Sequence, residues 1–155
     1  MRKFFLLLCV LSLLLCACNR ETVPTTDLLA TLLSLPNASP PDADIYFAQG
    51  AADARLEQIV DRLYGADAAV LTHLADYAVF LGRSTSLYEI HILRAISPSD
   101  VPILRRLLDA RAKLLCLATE EGHPTERNAV VCERGQLLFL FATPCNSTLL
   151  QAAIA

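Results

Sequence analysis

The spacing of apolar positions switches repeatedly along the chain, and each switch predicts an element. Leu28, Leu29, Leu32 and Leu33 recur at helical spacing after Asp27, which predicts a short amphipathic helix over 28–35. Pro36, Pro40 and Pro41 end it, because proline removes a backbone donor and clashes with the preceding turn. Ile45-Tyr46-Phe47 predicts a brief strand. Leu56, Ile59, Val60 and Leu63 form the apolar stripe of a second helix, with Asp53 as its cap and Gly65 as a left-handed stop. Asp67 opens a further helical stretch through Leu74. The period then falls to two. Tyr77, Val79 and Leu81 alternate with Ala78 and Phe80. After a loop at 82–86, a strand over 87–96 places Tyr88, Ile90 and Ile92 on one face and Glu89, His91 and Leu93 on the other.

Ser97-Pro98-Ser99-Asp100 predicts the start of the central helix: a capping serine, proline at the first helical position and an acid at the positive helix end. Ile103, Leu104, Leu107, Leu108, Leu114 and Leu115 carry its apolar face to about residue 118, with Arg105, Arg106, Asp109 and Lys113 largely off it. Two strands, 128–133 and 136–142, flank the turn Arg134-Gly135, and a last helix is predicted over 147–154. The order predicts an α+β domain: an antiparallel sheet of two β-hairpins flanking a central helix, with helices on one face.

The N-terminus follows a different grammar. Arg2 and Lys3 precede an apolar run from Phe4 to Leu15, too short for a spanning helix of ~20 residues. Leu15-Cys16-Ala17-Cys18 closes it as a lipobox, with a small residue before the lipid-accepting thiol. Cys16 follows Leu15 and is the poorer acceptor, so Cys18 is assigned to carry diacylglycerol and palmitate. Residues 1–17 are then signal peptide, 18–26 a lipidated tether and 27–155 a single domain, facing outside the cytoplasm on the cell membrane. Several acyl chains give lasting attachment, at ~0.8 kcal/mol per buried methylene.

Composition supports this division. The chain is 54% apolar with a mean hydropathy of +0.44, but its one long unbroken apolar run lies in the signal. Removing Arg2 and Lys3 from 13 cations leaves 11 against 16 acids, a formal balance of −5 for the mature chain. That sign argues against a nucleic-acid partner, whose phosphates require cationic contacts. Cys116, Cys132 and Cys145 remain beside the lipidated Cys18 and cannot all pair internally; each reads as a small buried thiol.

Candidate chemistry is sparse. His73, His91 and His123 lack the helical spacing of a zinc site, and no cofactor motif or phosphate loop occurs. His123, with Glu120, Glu121 and Glu126, forms an acidic loop able to offer oxygen ligands to a cation, without the ordered spacing of a calcium loop. His91 stands two residues from Glu89 on one strand face, a polar pair expected on the solvent side of a sheet. Ser84 and Ser86 lack any partner motif for a hydrolase. No metal site and no catalytic residue is assigned.

Leu63-Tyr64-Gly65, Ser86-Leu87-Tyr88-Glu89-Ile90, the helix from Asp100 to Ala118, and Asn128–Gly135 leading into Leu137–Ala142 together carry a resemblance. Over about residues 56–154, with the lipobox, the chain resembles small lipoproteins of Gram-positive bacteria that carry domain of unknown function four-three-five-eight. It departs from that family's pattern at Thr119–Pro124, where an aromatic and a Tyr-x-Pro-like loop are usual. The resemblance implies no activity and no site residues. The resulting expectation is a non-catalytic interaction module whose partner is an envelope protein or wall component. Capture of a small ligand or cation is the alternative, and an envelope hydrolase the least favoured reading.

Overall fold

The computed structural model describes residues 23–36, 43–49, 54–65, 68–82, 88–120 and 129–155. Helix α1 (Thr25–Leu33) is followed by strand β1 (Ala43–Gln49), helix α2 (Ala54–Tyr64) and a 3₁₀ segment (Ala68–His73). Strands β2 (Leu74–Gly82) and β3 (Glu89–Ala95) precede the long helix α3 (Val101–Glu120). Strands β4 (Val130–Arg134) and β5 (Leu137–Ala142) and helix α4 (Asn146–Ile154) complete the described elements. The sheet has the order β1-β2-β3-β5-β4 and every neighbouring pair is antiparallel. The two predicted hairpins, β2-β3 and β4-β5, flank α3 as expected.

Helices cover both faces of this sheet, which corrects the expectation of one. On one face Tyr77, Val79, Leu93, Leu138 and Leu140 pack with Val60 and Leu63 of α2 and with Leu104, Leu108 and Leu115 of α3. On the other, Phe80, Ile90, Ile92, Phe139 and Phe141 pack with Leu29 and Leu32 of α1 and Leu149 and Ala153 of α4. The physical reason lies in β5, whose six residues Leu137–Ala142 are all apolar. A strand with one wet face would alternate, whereas one buried on both faces has no polar position to spare.

Local chemistry sets the element ends. Gly65 (φ +56°) closes α2 and Gly135 (φ +62°) makes the β4-β5 turn, both in the left-handed region that favours glycine. The start of α3 differs from the expected serine cap. Asp100 presents its carbonyl to the amides of Ile103 and Leu104, and its carboxylate accepts bonds from the Ser97 amide (3.0 Å) and Ser97 Oγ (2.6 Å). Asp100 also meets His73 Nδ1 at 2.8 Å, joining the 3₁₀ segment to the head of α3. These bonds hold the Asp100 carboxyl below the usual carboxylate range, Ser97 contributing most and His73 next.

The start of α1 is tied to the sheet. Asp76 of β2 accepts the Thr25 amide (3.0 Å) and Arg94 Nε of β3 (2.7 Å), while Arg94 Nη2 donates to the carbonyl of Val23. The Thr25 hydroxyl is fully buried here and finds no partner among the described residues. An unpartnered buried hydroxyl is costly, whereas a methyl group fits the same volume. Thr25→Val is therefore expected to raise stability by about 1 kcal/mol, read as a higher urea midpoint at unchanged slope. A lower midpoint would mean that the hydroxyl has a partner.

Candidate functional site

The polar cluster on the α2/α3 face of the sheet is built by alternation along β3. Glu89 and His91 point to the same side as Leu93, and the sequence places no apolar substitute at these positions. The expectation of a solvent-facing pair is corrected: His91 is 0% exposed and Glu89 is buried. Helices α2 and α3 cover them, and each brings one polar group. Tyr64, at the last turn of α2, places its hydroxyl on His91 Nδ1, and the rings meet edge to face with centroids 5.6 Å apart. Arg111, in the middle of α3, forks onto Glu89, with Nε donating to Oε2 at 3.0 Å and Nη2 to Oε1. Its Nη1 reaches the Leu63 carbonyl at 3.3 Å, one of the carbonyls that the end of α2 leaves without a helical partner.

The proton positions follow from what each group can do. An ionised carboxylate only accepts, so His91 Nε2 carries the hydrogen it donates to Glu89 Oε2 at 3.0 Å. His91 Nδ1 is then the acceptor, and Tyr64 O–H is its donor. The cluster reads as one line of donation, Tyr64 to His91 to Glu89, closed by the Arg111 fork.

Electrostatics agree with that line. Burial alone would raise the Glu89 pKa, but the hydrogen bonds from His91 and Arg111, with the Arg111 charge, outweigh it and bring the carboxyl down to about 2. Burial holds the His91 imidazole below its ordinary value, against the opposing pull of Glu89. Burial, reinforced by the Glu89 charge, pushes the Tyr64 phenol well above its ordinary range. At neutral pH the cluster therefore holds a neutral phenol, a neutral imidazole and an ion pair.

A hydroxyl on an imidazole oriented by a carboxylate is also the layout of a nucleophile, base and orienter. Here the imidazole has no solvent exposure, and both of its nitrogens are engaged within the protein. The cluster ties α2, β3 and α3 together.

Of the other sequence candidates, Glu120 closes α3, while Cys18, Ser84, Ser86, Glu121, His123 and Glu126 lie outside the described residues. Among the described residues, the structure brings His91 together with Glu89 and Tyr64. Cys116, Cys132 and Cys145 are half-buried, and burial raises the Cys132 pKa. Among the described residues, no group of three or more His, Cys, Asp or Glu side chains is placed to hold a metal ion. Sequence reasoning missed Arg111 and Tyr64. The signal for Arg111 was its place in the series Leu104, Leu108, Arg111, Leu115, whose steps of four, three and four put it on the core-facing stripe.

The chain matches no family model, no curated protein and no solved structure.

Proposed function

We propose that this chain is a membrane-anchored extracytoplasmic bacterial lipoprotein whose α+β domain is a non-catalytic interaction module. The observation that carries the reading is Leu15-Cys16-Ala17-Cys18 behind a basic and apolar leader. The structure adds support of another kind. The buried ionisable cluster binds its own members and ties three elements together, as a structural staple does. No helix of the described residues is long and apolar enough to cross a membrane, so attachment in this reading falls to the lipid on Cys18. The partner of the module is an envelope protein or a wall component. Membership of the lipoprotein family that the sequence resembles is part of the same proposal.

The test is metabolic labelling with an alkyne-bearing palmitate in a bacterium that processes lipoproteins. The wild-type chain and Cys16→Ser are expected to take the label and remain in the membrane fraction, and Cys18→Ser to lose both. Label retained by Cys18→Ser and lost by Cys16→Ser would move the anchor to Cys16. No label on any of the three would overturn the lipoprotein reading.

A further inference from the structure

One end of the sheet gathers features that the cluster at Glu89 does not use. Asp76 and Arg94 pair across β2 and β3 at this end, and Arg94 lies opposite Leu137, itself opposite Arg134 at the end of β4. The chain arrives here from its N-terminus, clamped at two points: the Val23 carbonyl on Arg94 and the Thr25 amide on Asp76. Cys18 lies five residues before Val23, and five residues reach at most about 18 Å when fully extended.

The same end carries two exposed aliphatic side chains, Val23 at 53% and Ile96 at 54%. Ile96 sits two residues beyond Arg94 on a segment fixed by its own bonds. Its amide donates to the His73 carbonyl at 3.0 Å, and Ser97 is held by the Asp100 carboxylate. A rigid segment thus presents an apolar side chain to the outside. Single exposed aliphatics are ordinary, but two beside an anchored entry point are a different case.

Charge at the same end is partly neutralised. The mature chain is acidic, and an acidic surface is repelled by anionic lipid. Of the acids placed here, Asp76 is paired with Arg94 at 2.7 Å and Asp100 accepts hydrogen bonds from Ser97 and His73, while Asp27 and Glu133 are exposed and Arg134 is exposed beside them.

We infer that this end of the sheet, with Val23, Ile96 and Arg134 at its surface, rests on the bilayer that holds the Cys18 lipid, so that the Asp76–Arg94 clamp fixes the domain's orientation on the membrane. The inference rests on the lipid anchor and adds a face and an angle to it. Helix α3 starts beside Asp100 at this end and brings Arg111 to Glu89 at the far end of β3. It therefore leads away from the bilayer. Leu114, also 54% exposed, stands about 20 Å along the helix from Val101 at 1.5 Å per residue. The partner-binding surface of the module is then on the far half of the domain.

The chain contains no tryptophan, so a single introduced indole reports its own depth. Full-length lipidated Ile96→Trp and Leu114→Trp would be reconstituted into phosphatidylcholine–phosphatidylglycerol vesicles carrying a doxyl label near the headgroup, and floated on a density gradient. The expected result is co-flotation of both, with emission blue-shifted and quenched several-fold more strongly at position 96 than at 114. Adding Arg94→Gln to Ile96→Trp is expected to reduce the quenching while flotation persists.

Flotation with equal or no quenching at the two positions would overturn the orientation and leave the anchor standing. A blue shift at 96 without quenching would mean that a second copy of the chain covers this face, which also overturns it. Quenching at 96 unaffected by Arg94→Gln would show that the clamp does not set the orientation. Failure of both proteins to float would overturn the anchor and, with it, the inference.

Discussion

Replacing Arg111 by methionine is expected to destabilise the fold by about 3–5 kcal/mol, the range for breaking a buried ion pair by removing one partner. Methionine matches the length of the arginine stem, so the change removes the guanidinium while leaving little cavity. What remains is a Glu89 carboxylate under α3 with one hydrogen bond, from His91, where it had three. The Leu63 carbonyl at the end of α2 loses its donor as well. Two penalties of different origin thus fall on one substitution, and both come from groups left behind rather than from the arginine itself.

The companion expectation separates that explanation from a simple loss of packing. Replacing the whole cluster by apolar residues, Tyr64→Phe, Glu89→Leu, His91→Leu and Arg111→Met together, leaves no orphaned charge. Its stability is expected to lie within about 1–2 kcal/mol of the wild type and well above Arg111→Met alone, since apolar replacement of buried ion pairs is often neutral. Urea denaturation of the unlipidated chain from residue 19 measures all three proteins. A quadruple variant no more stable than Arg111→Met would show that shape rather than charge pairing is at stake.

Elements whose boundary depends on local chemistry were readable: Gly65 and Gly135 both adopt the left-handed conformation their positions demanded, and the two hairpins and the helix between them followed from changes of period. Tertiary relations were harder. Leu137–Ala142 carries six apolar residues in a row, and that pattern alone implies cover on both sides, but a second layer of helices requires knowing that α1 and α4 share a face. The cap at Ser97 was misjudged because Ser97 and Asp100 bond to each other, and His73 from a distant segment completes the arrangement.

The cluster illustrates the same limit. Glu89 and His91 were visible as a same-face pair, and a polar pair on a strand ordinarily means a wet face. The reversal comes from Arg111, whose place in the series with Leu104, Leu108 and Leu115 directs it inward. A charged residue on an apolar stripe is a request for a buried partner of opposite sign. The strand face with Glu89 was the available answer.

The same chemistry makes the domain acid-sensitive in a defined window. His91 has a folded pKa below its ordinary 6.5, so the unfolded chain takes up the proton first and stability falls as pH drops below about that value. Glu89 has its folded pKa at about 2 against an ordinary 4.5, so its contribution is complete above 4.5 and disappears as pH falls toward 2. Both groups act in the same direction.

Asp100, held low by Ser97 and His73, acts in the same sense, so a bare pH profile would mix several sites. The difference between the wild type and the quadruple apolar variant isolates the cluster. Across urea midpoints at pH 7, 5 and 3, the wild type is expected to lose stability at each step and the variant to lose less. Parallel profiles for the two proteins would mean that Glu89 and His91 titrate alike in the folded and unfolded states. The line of donation from Tyr64 through His91 to Glu89 would then contribute nothing to stability.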